Sequence, residues 1–70
     1  MAEAIEITVN GAARPIPAGS TVAALLRDLG VERTRVAVER NLDIVPRATY
    51  DEVVLASGDR LEIVAFVGGG

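Results

Sequence analysis

Ile5-Glu6-Ile7-Thr8-Val9-Asn10-Gly11 alternates apolar and polar side chains and then breaks into a turn. A period of two is that of a strand with one buried face. Asn and Gly both tolerate positive φ, so Asn10-Gly11 predicts a tight hairpin. The return strand covers about Ala13 to Ile16. Pro15 and Pro17 have no N–H to give to a ladder, which places this strand at a sheet edge.

Outward from the hairpin the pattern changes period. Ala18-Gly19 reads as a turn, and Ser20 or Thr21 can cap a helix. Val22, Leu25, Leu26 and Leu29 follow the i, i+3, i+4, i+7 spacing of one apolar helical stripe. Gly30 stands where a left-handed cap ends such a helix. Alternation returns in Val36-Ala37-Val38-Glu39-Arg40, a third strand, and Leu42-Asp43-Ile44-Val45 reads as a short extended piece stopped by Pro46. Ala48 to Glu52 fits either a loop or a single helical turn. Val53-Val54-Leu55 reads as a short strand, Ser57-Gly58-Asp59 as a turn, and Arg60 to about Val67 as the last strand. A hairpin, one helix and further strands predict an α+β fold, with a mixed sheet of four to five strands and the helix packed on one face. The last strand, uncharged from Ile63 onward, belongs beside the first in the sheet centre.

Composition narrows the function. The 70 residues include ten acidic and seven basic side chains, for a formal net charge of −3, and all the basic ones are Arg. Cys, His, Lys, Trp and Gln are absent. Without Cys and His there is no thiol nucleophile, no zinc or iron–sulfur site of the usual kind and no imidazole base. Without Lys there is no Schiff base. An enzyme in its own right is therefore disfavoured, and no metal site is expected. The acidic balance disfavours nucleic acid, which demands clustered positive charge. No apolar run is long enough for a membrane span, and the N-terminal stretch lacks a signal-peptide pattern. The absence of Cys is compatible with a cytoplasmic location.

The last strand and the residues after it carry the chemical content. Leu61, Ile63 and Ala65 share one face, expected to be the core, whereas Glu62, Val64 and Phe66 share the other, which a two-layer fold leaves uncovered. Exposed Val64 and Phe66 fit a partner-docking surface; plain sheet packing is the alternative. Gly68-Gly69-Gly70 then comes directly after Val67. Glycines lack Cβ and let another backbone approach closely. Three extended residues reach about 10 Å, so a run of this kind can carry a carboxylate into a partner's site. Fraying or a fusion remnant is the alternative reading of the glycines. A terminal carboxylate, with pKa about 3.5, is an anion at neutral pH and must be activated before it reacts.

These elements resemble the ubiquitin-like β-grasp proteins and, more narrowly, the thiamine-biosynthesis sulfur carrier family (ThiS). The resemblance rests on Asn10-Gly11, Ala18-Gly19-Ser20-Thr21-Val22 with Leu25-Leu26, and Val38-Glu39-Arg40-Asn41 with Ile44-Val45-Pro46-Arg47. Tyr50, Ser57-Gly58-Asp59-Arg60, and Glu62-Ile63-Val64 through Phe66-Val67-Gly68-Gly69-Gly70 complete it. It implies a β-grasp domain over 1–67 and a flexible glycine tail over 68–70. Gly70 becomes the covalent attachment site, first as an acyl-adenylate and then as a thiocarboxylate. Gly68 and Gly69 thread into a partner's site, and Val64, Phe66 and Val67 form the partner surface.

The implied partners are an adenylating enzyme that uses ATP and magnesium, a sulfur donor such as a cysteine desulfurase, and thiazole synthase. The chain itself binds no cofactor on this reading. Arg40, Asn41, Pro46 and Arg47 are either partner contacts or turn and solvated residues. Asp59 is expected to accept backbone hydrogen bonds in a turn, and Arg33 and Arg35 to lie in a solvated loop. The small subunit of molybdopterin synthase, with the same tail chemistry, and a non-covalent β-grasp interaction module are the alternatives.

Overall fold

The computed structural model describes residues 3–66. Its strands are β1 (Ala4–Val9), β2 (Ala12–Pro17), β3 (Val36–Arg40), β4 (Asp43–Ile44) and β5 (Arg60–Ala65), and its helix is α1 (Val22–Leu29). Single 3₁₀ turns occupy Arg33–Arg35 and Arg47–Thr49. The five strands form one mixed sheet in the order β2-β1-β5-β3-β4. The last strand lies at the centre, parallel to β1 and antiparallel to β3. The proline-bearing β2 lies at the edge, as its missing donors require.

Local chemistry accounts for the elements. Asn10 and Gly11 both take positive φ, 50° and 85°, and close the β1–β2 hairpin in the sense that matches strand twist. All four N–H groups at the start of α1 are satisfied. Val22 N–H donates to the Val53 carbonyl and Ala23 N–H to that of Tyr50, while Ala24 N–H donates to Thr21 Oγ1 and Leu25 N–H to the Thr21 carbonyl. Thr21 is thus the cap. Gly30, at φ 75°, ends the helix in the left-handed conformation, and Val31 N–H returns to the Leu26 carbonyl.

The core lies between α1 and one face of the sheet. Val22, Leu25 and Leu26 meet Ile7, Ile16, Val36, Val38 and Leu61, with Val45, Tyr50 and Leu55 closing one end. Leu29, the last residue of the stripe, is partly buried against this cluster.

Several expectations are corrected. Leu42 is not extended: it follows Asn41 at positive φ (52° and 74°), so the β3–β4 turn consumes it and β4 shrinks to Asp43–Ile44. Val53–Leu55 is not a strand, because its only sheet-like partner among the described residues is Thr21, through an isolated bridge to Val54. Ala48 to Glu52 is resolved by the 3₁₀ turn that begins at Arg47. Ala65 faces outward as an exposed residue, since the core ends at Ile63. Val67 and the glycine run lie outside the described residues.

Candidate functional site

Strand β5 presents the candidate surface. Leu61 is fully buried and Ile63 packs against the core, so alternation turns Glu62 and Val64 to the face opposite the helix. Val64 is 61% exposed and Phe66 55%. Phe66 N–H donates to the Arg35 carbonyl at 2.9 Å, continuing the β5–β3 ladder one step beyond the strand. Register brings further residues to the same face: Ala37 lies opposite Val64, and Glu39 opposite both Glu62 and, across the other edge of β3, Ile44. Ile44 is 70% exposed. The structure therefore joins Val64 and Phe66 to Ala37 and Ile44. Sequence reading missed those two because their membership depends on strand register. Val67, Gly68, Gly69 and Gly70 lie outside the described residues.

Two asparagines hold β5 from either side. Asn10 N–H donates to the Leu61 carbonyl, Asn10 Nδ2 donates to the Ile63 carbonyl at 3.1 Å, and Ile63 N–H donates to Asn10 Oδ1 at 2.8 Å. Across the sheet Asn41 N–H donates to the Arg60 carbonyl, and Arg60 N–H donates to Asn41 Oδ1 at 2.9 Å. Each side chain thus imitates a missing strand residue. Both asparagines sit in tight turns at positive φ, where Asn is tolerated.

Asp59 anchors the entry to β5. Its Oδ2 accepts from Arg40 Nε and from Ala56 N–H, both at 2.8 Å, and its Oδ1 accepts from Asn41 Nδ2 at 3.1 Å. Burial, the largest single influence, pushes the carboxyl up; the bonds from Ala56, Asn41 and Arg40, with Arg40's charge, together outweigh it and hold the group below its ordinary value. Arg40 and Asn41 are thus structural partners of Asp59, whereas Pro46 and Arg47 are exposed. Arg33 is corrected from a solvated loop residue. Its guanidinium lies 5.4 Å from the centre of the Tyr50 ring, pairs with Asp51 at 3.0 Å and donates to the Arg47 carbonyl. Arg35 stays solvated, with an exposed pairing to Glu32.

Among the described residues no group of three or more metal-ligating side chains comes together, and no helix is long and apolar enough to cross a membrane. The surface is open, and the chemistry it offers is recognition.

One helix on a five-stranded mixed sheet, with an asparagine-clamped central last strand, defines a ubiquitin-like β-grasp domain. The chain belongs to the ThiS family, whose sequence model matches residues 2–70. The crystal structure of the thiamine biosynthesis protein ThiS from Geobacter metallireducens superposes with a TM-score of 0.81 at 32% identity, covering 94% of this chain and all of that one. The sulfur carrier protein ThiS of Bacillus subtilis is 46% identical over 50 residues, 71% of this chain and 76% of that protein. A thiazole synthase of Paramagnetospirillum magneticum is 53% identical over 66 residues, 94% of this chain but 20% of that protein. The chain thus spans about one fifth of the length of that relative.

Proposed function

We propose that this chain is a sulfur carrier of thiamine biosynthesis, acted upon by partners and without catalysis of its own. The observation that carries the reading is the ThiS-family match running through Gly70, at the end of the glycine run that succeeds the central strand. A carboxylate at Gly70 attacks the α-phosphate of ATP on an adenylating enzyme that holds magnesium, giving the acyl-adenylate and pyrophosphate. A persulfide sulfur from a cysteine desulfurase then attacks the acyl carbon and AMP leaves. A thiol cleaves the resulting S–S bond and leaves the thiocarboxylate, which delivers sulfur to thiazole synthase. Support for that last partner comes from relatives named thiazole synthase that contain a region like this chain within one polypeptide. The domain's contribution is position: a clamped strand aims the glycines, and the absence of Lys and Cys leaves few internal nucleophiles to attack an activated terminus.

Intact mass measurement of protein from its native host tests the reading. A fraction with one oxygen replaced by sulfur is expected, together with ATP–pyrophosphate exchange when the cognate adenylating enzyme is supplied. Deleting Gly70 should abolish both while the circular dichroism spectrum stays unchanged. A strain lacking the chain should require thiazole and retain molybdoenzyme activity. Full exchange by the truncated chain would refute the assignment of Gly70.

A further inference from the structure

The uncovered face carries a feature that weakens the free domain. Glu39 and Glu62 lie directly opposite one another on β3 and β5. Like charges in that relation, with Cβ atoms about 5 Å apart, repel and destabilise a sheet. The ion pairs among the described residues use Arg14, Arg33, Arg35 and Arg40 and leave both glutamates out. Arg60, two residues from Glu62 on the same strand, makes no ion pair with it either. Around the two acids lie Ile44, Ala37, Val64 and Phe66, so the charge is set in an apolar surround, with Ile44, Val64 and Phe66 each more than half exposed.

We propose that this face is where the adenylating enzyme docks, and that an arginine of that enzyme seats between Glu39 and Glu62. The proposal rests on the carrier reading above. Charge complementarity selects the occupant. An enzyme that gathers ATP phosphates and a carboxylate is electropositive around its site, and the face beside the activated strand is acidic. A planar guanidinium, with its forked donors, can bridge two neighbouring carboxylates in a way that a single ammonium does not. The apolar surround excludes water from the pair once docked, which strengthens it. Repulsion that costs stability in the free domain becomes attraction in the complex.

The test is pyrophosphate exchange by the cognate adenylating enzyme as a function of carrier concentration, at several salt concentrations. Wild type, a Glu39→Gln/Glu62→Gln double variant, single Glu62→Gln and a remote Glu52→Gln variant are compared, each with its melting temperature. The double variant should raise KM for the carrier about tenfold with kcat unchanged, flatten the salt dependence, and melt a few degrees higher than wild type. Glu52→Gln should change neither KM nor its salt dependence, and Val64→Ser should raise KM without altering the salt dependence. Wild-type KM and salt dependence in a folded double variant, or in Glu62→Gln if the double variant fails to fold, would overturn the docking face and leave the carrier reading standing. No exchange with the wild-type carrier would overturn the carrier reading, and the docking face with it.

Discussion

Asp59 gathers donors from three separate places, Ala56, Arg40 and Asn41, onto one buried carboxylate. Because its pKa is lowered in the folded state, its stabilisation is fully present above the unfolded value of about 3.9 and is lost as pH falls through the folded one. Denaturant unfolding should therefore show stability falling on acidification below about pH 4. Asp59→Asn should cost about 2 kcal/mol at neutral pH and remove most of that acid dependence. The sequence shows Asp59 as a turn residue after Gly58, and that much is local. Its ties to Arg40 and Asn41 span 19 and 18 residues and depend on how β3 and β5 align, which no short-range rule supplies. Leu42 was illegible for the opposite reason. A bulky side chain at φ 74°, 86% exposed, contradicts local preference, and the fixed ends of the β3–β4 turn impose it.

At the scale of elements, β5 depends on borrowed side chains. Its parallel pairing with β1 is short, matching Thr8 to Arg60 and Val9 to Leu61, and Asn10 extends it by the two bonds it makes with Ile63. Asn10→Ala should speed amide exchange at Ile63 and destabilise the domain by about 1 kcal/mol. In Asn41→Ala the same acceleration should appear at Arg60, and exchange measured residue by residue separates the two. The hairpin, the helix and its Thr21 and Gly30 caps were legible because capping and turn chemistry act within a few residues. Val53–Leu55 misled because a β-branched run looks like a strand whether or not a ladder partner exists. Val64 and Phe66 were legible as outward-facing from alternation alone. Ala37, Glu39 and Ile44 join them only once the register is known.

The molecule as a whole has few large side chains to fill its interior. Of its two aromatic residues Phe66 is at the surface, which leaves Tyr50, almost wholly buried, to plug the end of the core beside Val45 and Leu55. A chain of this length has a total stability of about 4–10 kcal/mol. Tyr50→Ala should remove about 3–5 kcal/mol, leaving a marginal domain whose denaturation midpoint collapses. The central placement of β5 has a mechanical consequence as well. A partner drawing on the chain beyond Phe66 pulls along a strand bonded on both flanks, antiparallel to β3 from Val36 to Arg40 and parallel to β1. Tension on that line shears many hydrogen bonds together instead of peeling them one at a time. The domain can therefore bear traction on its end without unravelling.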